Sequence, residues 1–492
     1  MTTTSSHLPP TVAAHVPTGV LVGGAWRPAS SGRTFEVSDP ATTEVLFDVA
    51  DGDEQDALDA LTAADDCFEE WRAAAPRVRA ELLRAVFDTL TRRTEDIAAL
   101  VTAEGGKPLA ESRAEVAYAA EYVRWYSEQA VRVDGLARRA PAGTHHQLVL
   151  RRPVGPALLI APWNFPIAMI ARKVAPALAA GCTAVVKPAQ LTPLTTAFVA
   201  EIVREELDAR DLPTGVLNVV PTSSARTVSG PLLADPRLRK LSFTGSTEVG
   251  ATLLKASADR ILRTSMELGG NAPFLVFDDA DLDAAVEGAV QAKMRNAGQT
   301  CVAANRFLVQ EGVAEEFTRR LTAAFGDLVV GHGAEPGTTV GPLIEASAVD
   351  RVEEVVAEAV DGGARVHVGG ERPDRPGYFY APTVVDRVDP DARLVRDEIF
   401  GPVAPVVTFG SEEDGVRLAN GTPFGLVAYA YTRDVGRVMR LAEALETGML
   451  GVNRGMVSDA SAPFGGVKSS GLGREGGEAG LEEYLEPVYV AL

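Results

Sequence analysis

Apolar residues recur at three- and four-residue spacing over 54–71, 77–101 and 114–130, and each stretch predicts an amphipathic helix. Ahead of them, GVLVGGAWRPA at 19–29 reads as β structure, and residues 1–18 read as flexible. From residue 154 the pattern changes to short apolar runs alternating with helical ones. VGPALLIAPW, TAVVKP, VLNVVP and KLSFTGS predict strands, and 165–181, 195–209 and 246–258 predict helices between or after them. Pro166 near a helix start and Gly181 past its end are ordinary punctuation for such a segment. Alternation of this kind implies a parallel sheet covered by helices, a dinucleotide-type α/β domain. A second alternating region follows ELGGNAPFLVFDDAD and runs to about residue 450, with helices predicted at 281–298, 314–325, 349–360 and 435–448. Two pieces break the alternation. Residues 133–152 carry Gly, Pro and Gly between strand-like stretches and read as a projecting hairpin, and 480–492 end in a strand pattern able to pair with another chain.

Composition narrows the partners. A chain of 492 residues exceeds one minimal core and calls for two or three domains. Its formal net charge of -20 argues against nucleic acid, whose phosphates need clustered Lys and Arg. No apolar run reaches membrane-spanning length, and the N-terminal stretch has neither a basic start nor a signal-type apolar core. The three cysteines, Cys67, Cys182 and Cys301, form no CxxC pair, and the six histidines have no metal spacing. The expectation is a reduced, cytoplasmic protein without metal, disulfide, membrane or nucleic-acid partner.

Four stretches can carry chemistry. In FTGSTEVG (243–250) a strand ends at a turn on Gly245 and a helix begins with Gly250 in its first turn. Backbone N–H groups there can bind a pyrophosphate, although the same turn also serves as a plain tight connection. Lys187 in VVKPA ends a parallel strand, where ligands bind in open sheets and where solvated lysines are also common. Glu267 in MELGG ends another strand as a general base or as a structural hydrogen-bond acceptor, and its two glycines favour close approach of the backbone. Cys301 in KMRNAGQTCVAANR starts whatever follows the turn at Gly298. It is either a nucleophile with nearby donors or an inert buried thiol. Cys182 leads into the apolar strand TAVVKP and reads as core, as does Cys67 within its helix.

These stretches occur in one order with others: PWNFP (162–166), KPAQLTP (187–193), FTGSTEVG, MELGG, GQTC (298–301), DEIFGP (397–402) and PFGGVKSSGLGREG (463–476). Together they resemble the NAD(P)-dependent aldehyde dehydrogenase superfamily over nearly all of the chain beyond residue 20. The resemblance implies a Rossmann-type cofactor domain (1–132 and 153–266) and a second α/β catalytic domain (267–452). It also implies a small β oligomerisation arm (133–152 and 475–492) and a return segment (453–474) lining the active site. It makes Cys301 the nucleophile, Asn164 an oxyanion donor with the Cys301 N–H, and Glu267 the base that activates water. Trp163, Gly245, Ser246, Gly250 and Leu268 would lie along the cofactor, Glu398 and Phe400 at its nicotinamide end, and Lys187 and Gln190 at its adenosine ribose. Many NAD-preferring members carry Glu where Gln190 stands here. A neutral side chain removes repulsion of a 2′-phosphate, so the expectation leans to NADP, with NAD as the alternative.

Within that family, MIARK, MRNAGQTC, a serine six residues before Phe464 and the tail resemble the succinate-semialdehyde branch. The resemblance implies that Arg172, Arg295 and Ser458 hold the carboxylate of the substrate, a role that suits a guanidinium fork. Outside the family, both arginines would read as helix-surface partners of acidic neighbours. Glutarate semialdehyde, one methylene longer, remains the nearest alternative substrate, followed by other small aldehydes. A cysteine hydrolase without hydride transfer and a non-catalytic binding role are more remote. Ala303 stands where some members of the branch carry a second cysteine, so their switch disulfide is not expected. The resemblance also implies a homodimer or a homotetramer.

Overall fold

The computed structural model describes residues 8–492, so the flexibility expected of residues 1–7 lies outside the described residues. Past that point the expectation fails. Leu8, Val12 and Val16 are buried in the first core, and Pro10–Ala13 is a short helix. Three apolar residues spaced by four give this segment enough to bury, and they hold it down.

Two mostly parallel sheets carry the fold. The first has eight strands in the order Gly471–Leu472, Arg263–Glu267, Lys240–Thr244, Ala157–Ile160, Ala184–Lys187, Leu217–Val219, Val20–Val22 and Ala25–Arg27. Its five middle strands are parallel, and antiparallel pieces close both edges. Chain order runs outward in both directions from Ala157–Ile160. The boundary between Ile160 and Thr244 is therefore a topological switch point, where open sheets leave a crevice at their carboxyl ends. The second sheet has seven strands, ordered Arg365–Val368, Thr383–Asp386, Val403–Phe409, Ala304–Gln310, Ala272–Val276, Val427–Tyr431 and Met449–Val452. A third sheet pairs Leu485–Ala491 with His146–Pro153 and that strand with Leu136–Arg139. The terminal strand thus pairs first within its own chain, with its other edge left open. No described helix is long and apolar enough to cross a membrane.

Local departures from the sequence pattern have local causes. The helix expected over 77–101 is two, Pro76–Arg92 and Thr94–Gly105, broken at Arg93 with φ -99° and ψ 20°. The helix expected over 281–298 stops at Met294. Asn296 (φ 52°), Ala297 (φ 53°) and Gly298 (φ 77°) then run left-handed one after another, so Gly298 closes a turn rather than capping the helix. Cys182 is fully buried as expected, whereas Cys67 is half-buried against Gly215.

Gly298 cannot be replaced cheaply. A Cβ there would sit 2.2 Å from the Gly401 carbonyl oxygen, on a backbone with positive φ. Gly298→Ala should cost about 2–4 kcal/mol and lower the first thermal transition by several degrees in scanning calorimetry. An unchanged transition would mean that the turn relaxes freely.

Candidate active site

The switch point opens into a cleft of about 290 Å³. Pro162, Trp163 and Asn164 reach it from beyond Ile160, and Thr244, Gly245 and Ser246 from the neighbouring strand end. Leu268 and Gly269 line it from the next strand, Glu398 and Phe400 from the DEIFGP loop, and Cys301 lines it as well. Eight residues named from sequence therefore share one cavity: Trp163, Asn164, Gly245, Ser246, Leu268, Cys301, Glu398 and Phe400. Gly250 lies just beneath, buried against Leu268, where a Cβ would come within 2.3 Å of the Leu268 side chain.

The cleft suits a dinucleotide. Ser246 caps the helix Thr247–Ala258, accepting from the Val249 N–H, and this helix start faces the cavity. The Trp163 and Phe400 rings meet edge to face with centroids 5.6 Å apart. The Glu398 carboxylate accepts from the Gly270 N–H at 3.1 Å, and Arg351 donates to the Glu398 carbonyl at 2.7 Å. Burial pushes the Glu398 carboxyl up to about 7, against the Gly270 N–H, Arg351 and Lys293. Lys187 and Gln190 stand outside this cavity, at the end of the adjacent strand. Lys187 is buried, donates to the Pro188 carbonyl at 2.7 Å and is pulled down to about 8 by desolvation, whereas Gln190 is exposed.

Cys301 reaches its place because Gly270 has no side chain. A Cβ on Gly270 would lie 2.4 Å from the Cys301 carbonyl oxygen. Asn164 is buried beside it and donates through Nδ2 to the Gln299 carbonyl at 3.0 Å. Burial pushes the Cys301 thiol up to about 12; Glu398 and Glu267 add to the shift, while Arg172 and Arg295 oppose it. Desolvation wins over two nearby guanidinium groups, so the thiol is protonated in this state.

Glu267 does not line the cleft. Its carboxylate is buried against Gly465, and its Oε2 has no hydrogen-bond partner. Burial and then the Glu475 carboxylate raise it well above the usual range, against Arg172, Lys173 and Arg474. Arg172 is fully buried in an ion pair with Glu475, and its guanidinium lies 4.1 Å from the centre of the Phe464 ring. Arg295 differs. It is half-buried, forms no ion pair among the described residues, has an unpartnered Nε, and stacks 4.7 Å from the Phe165 ring centre. Ser458 is half-buried in the segment before Phe464 and makes no side-chain hydrogen bond among the described residues.

Sequence reasoning missed Lys173 and Glu475, joined at 2.6 Å, and Lys107 with Glu115. The signal for Lys173 was available: with Arg172 it is one of two charges in the otherwise apolar helix Pro166–Ala180. Arg351, on the cleft wall, looked like any exposed helix charge.

The raised Cys301 thiol has a direct readout. Alkylation of cofactor-free protein by iodoacetamide should accelerate about tenfold per pH unit from about pH 7 to about pH 10, followed by mass spectrometry of the Cys301 peptide. A plateau below about pH 9 would show the thiolate forming at an ordinary pKa.

Comparison with known proteins agrees with this geometry. Residues 26–490 match the aldehyde dehydrogenase family. A succinate-semialdehyde dehydrogenase of Paenarthrobacter nicotinovorans is 56% identical over 448 residues, covering 91% of this chain and 99% of the relative. A glutarate-semialdehyde dehydrogenase of Pseudomonas aeruginosa is 48% identical over 471 residues, 96% of each chain. The crystal structure of succinate-semialdehyde dehydrogenase from Burkholderia pseudomallei superposes with a TM-score of 0.96 at 46% identity, covering 99% of this chain and all of that one. With its thiol at the end of a dinucleotide cleft between two parallel sheets, the chain belongs to the aldehyde dehydrogenase family.

Proposed function

We propose that the protein oxidises succinate semialdehyde to succinate, with NADP in preference to NAD as the hydride acceptor. One observation carries the substrate reading: Arg295 is a half-buried guanidinium near Cys301 with an unpartnered Nε and no carboxylate in ion-pair contact among the described residues, Glu111 acting on it only through its field. A substrate carboxylate would supply the missing partner. Arg172 also lowers the Cys301 thiol, but it is already paired with Glu475 and adds field more than a free fork. Ser458 would complete the carboxylate site.

In this reading the Cys301 thiol first gives up its proton to solvent, and the thiolate Sγ attacks the aldehyde carbon to give a thiohemiacetal. The second Nδ2 hydrogen of Asn164 and the Cys301 backbone N–H donate to the oxyanion. NAD(P), held along Trp163, Ser246 and Leu268, would supply the hydride acceptor, and loss of hydride from the thiohemiacetal leaves Cys301 as a thioester. Glu267 then turns from Gly465 toward Cys301 and activates the water that hydrolyses the thioester. Its raised carboxyl must lose a proton first, so this step gains rate as pH rises through that raised pKa. Trp163, Ser246 and Leu268 would bound the cofactor, with Glu398 and Phe400 fixing its nicotinamide end. Lys187, with neutral Gln190 beside it, favours a 2′-phosphate. Residues 1–132 and 153–266 would form the cofactor domain, 267–452 the catalytic domain, and 453–474 the return segment.

Glutarate semialdehyde is the second reading, favoured by the 48% identity to a dehydrogenase of that name. One methylene changes selectivity by about 1–3 kcal/mol, and both substrates present the same carboxylate to Arg295. The test is NADPH and NADH formation with succinate semialdehyde, glutarate semialdehyde and an uncharged four-carbon aldehyde. Arg295→Ala should lower kcat/KM for the carboxylated aldehydes about 10- to 100-fold and leave the uncharged one within about threefold. Equal losses on all three would discard the carboxylate reading and keep the dehydrogenase.

The same reading places the protein in the cytoplasm as a homodimer or homotetramer. The three-stranded sheet at 136–153 and 485–491 supports assembly: it exposes Leu136, Leu150 and Tyr489, and its outer strands have open edges. Light scattering should give two or four times the mass of one chain; a single-chain mass alone would overturn the assignment.

A further inference from the structure

Two acidic residues one helical turn apart, Glu111 and Glu115, face inward from the helix Leu109–Gln129 toward both halves of the active site. Glu111 accepts from the Asn296 N–H at 2.7 Å, in the left-handed turn that precedes Cys301. Glu115 accepts from the Ile167 and Ala168 N–H groups at 3.1 and 3.2 Å, at the start of the helix that follows Asn164. The other oxygen of Glu115 holds the ammonium of Lys107. Lys107 is 2% exposed and reaches the site from the loop after Gly106. Its Nζ donates to the Asn164 carbonyl at 2.8 Å and lies 3.9 Å from the centre of the Phe165 ring. Asn296 Nδ2 donates to the same carbonyl at 3.1 Å and to the Gln299 carbonyl at 3.3 Å. Asn164 Nδ2 donates to that Gln299 carbonyl as well.

We infer that Lys107, tethered by Glu115, is a positioning residue for the oxyanion site: it fixes the Asn164–Phe165 peptide and thereby the direction of the Asn164 amide. The reading rests on Asn164 as the oxyanion donor and adds what aims it. A buried lysine with a single carboxylate partner could be a plain structural strut. Three features separate it from one. Its second bond goes to the backbone of the very residue that would bind the oxyanion. That carbonyl takes a further donor from the nucleophile's own turn. Both carboxylates that anchor the assembly come from one helix, so Cys301 and Asn164 share a reference frame. A donor helps an oxyanion only when held within tenths of an ångström of its place, and a charge-assisted bond in a dry site is stiff enough to do that.

The test compares Lys107→Met, Lys107→Arg, Asn164→Ala and the double variant Lys107→Met/Asn164→Ala. Three readouts are taken: kcat and KM with succinate semialdehyde, NADP affinity by quenching of tryptophan fluorescence, and iodoacetamide alkylation of Cys301. Alkylation forms no oxyanion. Lys107→Met should lower kcat about 10- to 100-fold, with NADP affinity and alkylation rate within about twofold of wild type. Lys107→Arg should recover part of the loss. In the Asn164→Ala background the Lys107→Met change should cost less than about threefold, because its target is gone. A folded Lys107→Met enzyme with kcat within about threefold of wild type, or losses that multiply in the double variant, would overturn the inference. If Lys107→Met does not fold, Glu115→Gln, which keeps the shape and weakens the tether, decides by the same readouts, and an unchanged kcat overturns it. Should Asn164→Ala alone keep full activity, the oxyanion reading itself falls, a result distinct from the others.

Discussion

Four residues, Leu268 to Asn271, separate the last parallel strand of one sheet from the first strand of the other. That short link is the constraint on which the site depends. So close a passage would strand backbone polar groups, and four of them find partners from distant segments. The Leu268 N–H donates to the Ser470 carbonyl, the Gly269 carbonyl accepts from Ser470 Oγ, the Gly270 N–H meets Glu398, and the Asn271 carbonyl accepts from Arg306. Each partner comes from a different part of the chain, so satisfying the link draws the return segment and the DEIFGP loop onto the cleft. The two glycines leave room for Glu398 on one side and for the Cys301 backbone on the other. Cys301, the crevice at the switch point and the DEIFGP loop are neighbours because this link is short and bare.

What was legible in the sequence follows from how locally each feature is determined. The strands and helices around the switch point were readable because their apolar runs and punctuating Pro166 and Gly181 depend on near neighbours. The eight cleft residues were readable because they lie in stretches whose order is shared across a family. The break at Arg93 was not readable, since the apolar spacing continues through it and only packing decides the kink. The helix Ala225–Ala234 was missed because it contains Pro231, which ordinarily argues against a helix. Nor could the left-handed run at Asn296 and Ala297 be read: alanine in that conformation is held by tertiary contacts, among them the Glu111 carboxylate 185 residues away. Long-range ion pairs such as Lys173 with Glu475 leave no spacing signal at all.

The carboxylates around Arg172 show how one buried cluster can hold two acids in opposite states. Burial opposes ionisation of Glu475, but Lys173 and Arg172 outweigh it and hold that carboxyl below the usual range. Glu267, equally buried and without a hydrogen-bond partner on Oε2, is pushed the other way by burial and by the Glu475 charge. Like charges that cannot both be desolvated divide in this manner, one ionised and one protonated. The division assigns roles without reference to any relative. Glu475 is a fixed counter-ion, because releasing its charge would leave two buried cations unmatched. Glu267 is held protonated by its burial and by the Glu475 charge, so it is the acid of the pair that has a proton to lose. With Glu267 neutral, Arg172 lowers the Cys301 thiol and opposes the desolvation that holds it protonated. An ionised Glu267 raises the thiol again. In the proposed mechanism a protonated Glu267 would therefore favour thiolate formation at Cys301, and an ionised Glu267 would favour water attack on the thioester. The two proposed stages ask for opposite charge states of a single side chain, and burial beside Glu475 sets the first of them.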